Sequence, residues 1–189
     1  MNLPYWQRQT PEQPLFPDIE WGKPEQRSRA GKLGVIGGNK LGFAGVAEAY
    51  STALASGVGE VRVLLPDVLK NTLPRTMNGV AYAPSNPSGG LAQEAINELR
   101  ALGAWSDGLL LIGDAGRNSQ TAIVYSQLLR DYQGPAIITR DAADLVRNDS
   151  AILAARQNTV LILSFAQLQK LFRTLYYPKI LTFSMQLLQ

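Results

Sequence analysis

From Lys32 onward the chain alternates short apolar runs with stretches whose apolar residues recur every three or four positions. Leu33–Ile36 is such a run, closed by Gly37-Gly38. Over Phe43–Ser56, Val46, Ala49, Tyr50, Ala53 and Leu54 share one helical face, and Gly57 and Gly59 stop the element. Glu60–Leu65 predicts the next strand, and Pro66-Asp67 opens a short helix. Gly79–Ala83 is a further apolar run, followed by a loop rich in Pro, Ser and Gly up to Gly90. Leu91–Leu102 predicts a helix on Ala92, Ala95, Ile96, Leu99 and Leu102. Gly108–Ile112 predicts a strand closed by Gly113, and Ser119–Leu129 a helix capped by Asn118 or Ser119. Pro135–Ile138 and Thr159–Leu163 predict two more strands, and Phe165–Leu175 a last helix. Strands this uniformly apolar are covered on both faces, as in a parallel sheet between helices. The alternation predicts a doubly wound, mostly parallel α/β sheet. Ligands of such sheets sit at the carboxyl ends of the strands.

Residues 1–31 read differently. Pro4, Pro11, Pro14, Pro17 and Pro24 remove backbone donors and predict an extended arm. Trp6, Phe16, Ile19 and Trp21 are apolar for a free tail. The arm is expected to lie across the domain or a neighbouring subunit, or else to be a partly ordered tail. Residues 32–189 then form the α/β domain.

Composition narrows the chemistry. The chain holds no Cys and no His, which removes thiol nucleophiles, Cys/His zinc sites and histidine acid–base catalysis. Proton transfer would fall to Asp, Glu, Lys, Tyr or water. A net charge of +3 over 189 residues is no nucleic-acid footprint. No apolar run approaches the roughly 18 residues that span a bilayer. The expectation is a cytoplasmic protein that engages neither membrane nor nucleic acid.

Four loops follow predicted strands. The first, Gly37-Gly38-Asn39-Lys40 to Ala44-Gly45, is glycine-rich between strand and helix. Its backbone N–H groups can approach an anion, and Lys40 can meet a phosphate as a point charge. It matches neither the dinucleotide fingerprint nor the P-loop. The same glycines serve equally to permit a tight turn and close helix packing. The second loop, Gly113-Asp114-Ala115-Gly116, can face the same ligand or be a plain turn. The third carries Asp141 and Asp144, suited to polyols or Mg²⁺, and suited as well to the first turn of a helix. In the fourth, Ser164 reads as a helix cap.

The order and spacing of these pieces resemble the ribokinase-like superfamily, and within it the ADP- or ATP-dependent NAD(P)H-hydrate dehydratases. The resemblance rests on Lys32-Leu33-Gly34, the apolar strand into Gly37-Gly38-Asn39, Phe43-Ala44-Gly45-Val46, and Gly57-Val58-Gly59 before Val61-Arg62-Val63. It covers about Gly31 to Leu175. The chain departs from that family at several points. The family's Gly-Pro-Gly-Leu-Gly turn is Gly113-Asp114-Ala115-Gly116 here, and its Asp-Ala-Asp-Ala stretch is Thr139-Arg140-Asp141-Ala142. Its Thr-Pro-His turn falls on Ile162-Leu163-Ser164. Its Gly-Thr-Gly-Asp segment, with the catalytic base, has no counterpart, and no acidic residue follows Asp149.

The resemblance implies repair of hydrated nicotinamide cofactors, with hydrated NAD(P)H as substrate and ADP or ATP with Mg²⁺ as cofactor. It implies a nucleotide facing Gly37, Gly38, Asn39, Lys40, Ala44, Gly45, Gly113, Asp114, Gly116 and Asp141, in a homo-oligomer. No catalytic residue and no metal ligand is assigned. The chain reads as the front part of such an enzyme or as a relative without phosphoryl-transfer chemistry. Two alternatives stand beside it: a non-catalytic nucleotide-binding or assembly subunit, and a small-molecule or sugar kinase. The apolar residues between Leu161 and Gln189 are expected to need cover from another chain or further residues.

Overall fold

Six strands form one sheet: β1 (Lys32–Gly37), β2 (Glu60–Pro66), β3 (Val80–Ala83), β4 (Gly108–Gly113), β5 (Ala136–Thr139) and β6 (Thr159–Ile162). The structure, a computed structural model, describes residues 10–72 and 77–176. Trp6 and the apolar run from Tyr177 to Leu188 lie outside the described residues. The strand order is β3-β2-β1-β4-β5-β6, and every neighbouring pair is parallel.

Neighbouring residues on a strand point to opposite faces, so each central strand feeds two cores. On one face Val35, Val63 and Leu65 pack with Val46 and Ala53 of α2 (Ala44–Ala55). On the other, Ile36, Leu64, Leu111 and Ile138 pack under α3 (Ile96–Trp105), α4 (Ser119–Asp131) and α5 (Arg140–Val146). The prediction of strands covered on both faces holds at the centre of the sheet and fails toward β6. There Val160 and Ile162 are more than half exposed, at 58% and 57%, and Ile137 is 37% exposed. No described helix covers that side of β5 and β6.

Some boundaries shift for local reasons. The helix expected from Leu91 starts with a 3₁₀ turn at Gln93–Ala95 and becomes α-helical only at Ile96. Leu91 is held in the preceding loop, where its carbonyl accepts from Asn86 Nδ2 at 2.9 Å and from Thr121 Oγ1 at 2.8 Å. Between β5 and β6 the chain forms α5, a 3₁₀ turn and α6 (Ser150–Ala155). A last helix, α7 (Phe165–Thr174), begins with a capping box between Ser164 and Gln167. The arm is not extended throughout, since Asp18–Trp21 forms one helical turn, and Phe16 and Trp21 remain exposed. Among the described residues no helix is long and apolar enough to cross a membrane.

Candidate functional site

The chain steps outward from β1 to β2 and β3, then crosses back to β4, β5 and β6. The connections therefore diverge between β1 and β4, and the carboxyl ends of these two strands are where sheets of this kind bind their ligands. The first and second loops begin there. Gly37 and Gly113 are paired across an irregular register, and Gly38 N–H donates to the Gly113 carbonyl at 2.9 Å. A Cβ on Gly37 would sit 2.3 Å from that carbonyl oxygen, so only glycine fits. Gly113 itself has φ +98°, which a side chain would strain.

Side chains interlock the loops. Asn39 is buried and donates through Nδ2 to the Asp114 carbonyl. Its Oδ1 accepts from Leu41 N–H at 2.7 Å, closing a turn in which Asn39 and Gly42 exchange backbone bonds. Asp114 Oδ2 accepts from Gly45 N–H at 2.7 Å, in the first turn of α2. Asp114 Oδ1 accepts from Arg140 Nη2 at 2.7 Å. Asp141 Oδ2 accepts from Gly116 N–H at 3.1 Å. A helix start leaves free N–H groups and partial positive charge, which draw anions. Here the chain's own Asp114 carboxylate takes one of those positions.

Eight of the ten residues singled out from sequence are thus joined: Gly37, Gly38, Asn39, Gly45, Gly113, Asp114, Gly116 and Asp141. Lys40 turns toward the loop between β3 and α3. Its N–H donates to the Gly89 carbonyl at 2.9 Å, and its stem lies over Gly89. Ala44 opens α2 and is exposed.

Three residues important to this geometry escaped selection from sequence. Arg140 holds Asp114, although it stood in the third loop beside Asp141. Gln167 Nε2 donates to the Arg140 carbonyl at 2.7 Å and to Asp144 Oδ2 at 3.0 Å, linking the fourth loop to the third. Asn86 organises the loop before α3: its Oδ1 accepts from Ser88 N–H at 2.9 Å and Gly90 N–H at 3.3 Å. Its position in a Pro-, Ser- and Gly-rich loop was the available signal.

Beneath the site lies Tyr125, wholly buried, with no hydrogen-bond partner on its hydroxyl. Burial first, and the charge of Asp141 second, raise its pKa. Asp141 Oδ1 is likewise buried without a partner. Both Asp114 oxygens serve N–H donors, one of them a guanidinium, and among the described residues no group of three or more acids is arranged to hold a metal. The glycines bring these loops into close mutual contact: a Cβ on Gly45 would lie 2.8 Å from Asp114 Oδ2, and one on Gly113 would run into Asp141 Oδ1.

No family model matches this chain, and no curated protein matches it. Among solved structures it is similar to a ribokinase-like superfamily protein of Enterococcus faecalis, with a TM-score of 0.63 and 17% identity. The match covers 80% of this chain and 52% of that one, so the chain spans about half the length of that structure. The likeness is one of fold: a parallel six-stranded α/β sheet of the ribokinase-like kind.

Proposed function

We propose that this chain is a non-catalytic, nucleotide-binding protein of the ribokinase-like fold, related to the NAD(P)H-hydrate dehydratases but lacking their turnover. One observation carries the proposal: Asp114 is engaged by the chain through both carboxylate oxygens, and Asp141 is engaged through one and buried at the other. A general base needs a free lone pair aimed at the proton it removes. Asp114 spends its two oxygens on Gly45 and Arg140, and Asp141 spends one on Gly116 while burying the other. The ligand of this reading is a nicotinamide nucleotide, ADP or ATP lying over Gly37, Gly38, Asn39, Gly45, Gly113 and Gly116. A small-molecule or sugar kinase would likewise need a carboxylate free to act as base, which Asp114 and Asp141 do not offer. An assembly role has separate support in the exposed Val160 and Ile162.

The test pairs melting curves in millimolar NADH, ADP and ATP with an assay for nucleotide-dependent repair of hydrated NADH. The expected result is a raised melting temperature with at least one nucleotide and no repair. Repair at ordinary enzymatic rates would overturn the non-catalytic reading. Melting curves indifferent to all three nucleotides would overturn the binding reading.

A further inference from the structure

A cleft of about 320 Å³ lies between the start of α4, the end of α5 and the middle of α7. Three cations line it, each from a different element: Arg117 before α4, Arg147 after α5 and Lys170 on α7. One carboxylate lines it, Asp144, so the wall carries a net charge of +2. Asp144 is already engaged, accepting from Arg147 Nη1 at 2.9 Å and from Gln167 Nε2 at 3.0 Å. Among the described residues, the Arg117 guanidinium and the Lys170 ammonium have no partner. The Ser119 hydroxyl and the Asn148 amide add uncommitted hydrogen-bonding groups to the same wall.

Like charges gathered around one cleft repel, and the arrangement becomes favourable when an anion enters. The available groups are mostly donors, which suits the acceptor oxygens of a phosphate and not a cation or an apolar ligand. The cleft is at the lower end of the range that holds small molecules and exceeds what a bare phosphate needs. A larger cleft of about 450 Å³ at the amino ends of β5 and β6 lacks this character. Its Arg156 is consumed by the carbonyls of Leu129, Tyr132 and Gly134, and its Arg130 by Asp149.

We infer that the α4–α5–α7 cleft is a binding site for a phosphomonoester of a small molecule, with Arg117 and Lys170 as its phosphate ligands and Arg147 held in place by Asp144. This site is distinct from the interlocked loops after β1 and β4 and does not depend on what binds there.

The test is calorimetric titration of the full chain with ribose 5-phosphate, ribose and inorganic phosphate at low ionic strength. Both key side chains are exposed and unpaired, so Arg117→Ala and Lys170→Ala should leave the melting temperature unchanged. The expected result is binding of ribose 5-phosphate, weaker binding of inorganic phosphate and none of ribose. Each substitution should weaken ribose 5-phosphate binding roughly tenfold or more, as befits a lost charge-assisted bond. Binding that the two substitutions leave unchanged would overturn the inference. So would failure of both phosphates to bind at about 10 mM, a Kd too weak to represent a built site. Phosphate binding as tightly as the ester would overturn the small-molecule part and leave a free-anion site.

Discussion

Asp114 and Arg140 face each other across the ends of β4 and β5, joined by a 2.7 Å ion pair, and both adopt the left-handed backbone conformation, at φ 54° and 56°. Non-glycine residues rarely sit there, and each pays a backbone penalty of about 1 kcal/mol or more. At position 140 this inverts an ordinary rule. Within a helix alanine is better than glycine, but Arg140→Gly should be more stable than Arg140→Ala by about 1 kcal/mol, because both lose the ion pair and only glycine relieves the strain. Urea denaturation of the two variants measures the difference.

Replacing Asp114 by Ala removes the acceptor for Gly45 N–H and leaves Arg140 without its partner. The half-buried position makes the loss of the backbone bond the larger effect, about 1–3 kcal/mol. Arg140→Ala should cost less, since that side chain is 52% exposed and surface ion pairs contribute little. Equal losses in the two variants, read from denaturation midpoints, would contradict the assignment of Asp114 to the start of α2.

At Gly37 an added methyl would meet the Gly113 carbonyl oxygen at 2.3 Å. Backbone cannot step aside as a side chain can, so Gly37→Ala should destabilise by about 3 kcal/mol or more. Gly42, where a Cβ meets nothing within 4 Å, is the control and should tolerate alanine. Thermal unfolding of the pair gives the comparison.

Tyr125→Phe removes a buried hydroxyl that has no partner. At neutral pH the variant should match or exceed the parent in stability, by up to about 1 kcal/mol. The sign of the pH effect follows from the raised pKa. Below the ordinary value of 10.0 the phenol is neutral folded and unfolded, so it adds no pH dependence. Above it the unfolded chain releases the proton while the folded chain keeps it, and stability falls as pH rises. The parent should therefore lose more stability than the Phe variant between about pH 9 and pH 11.

The paired substitution Val160→Thr, Ile162→Thr addresses the uncovered side of β6. If that side drives self-association, light scattering should report a smaller particle and hydrophobic dye binding should drop. A parent that is monomeric and binds no dye would remove the case for an assembly role.

Much of the fold was legible because the central strands are apolar on successive residues, which marks a covered parallel sheet, and the glycines closing them marked the loops. Leu33–Ile36 widened to Lys32–Gly37, and Phe43–Ser56 shortened to Ala44–Ala55. The two short helices between β5 and β6 carried too few turns to impose a period. Leu91 fitted the helical spacing but belongs to a loop, because Asn86 and Thr121 claim its carbonyl across the chain. In the site, glycine positions were readable from local pattern. The partnership of Asp114 with Arg140 and Gly45 was not, since 26 and 69 residues separate the partners and only the strand order brings them together.

The lopsided covering of the sheet also bears on how the molecule breathes. β6 pairs with β5 over four residues and is packed by helices on one face only. β1 is paired on both sides and buried on both faces. Local opening draws on the least buried contacts first. Amide hydrogens of β6 and α7 should therefore exchange through partial unfolding that leaves β1, β2 and β4 intact, and a protease should find its first cuts there, with the loops around Asp114 still assembled.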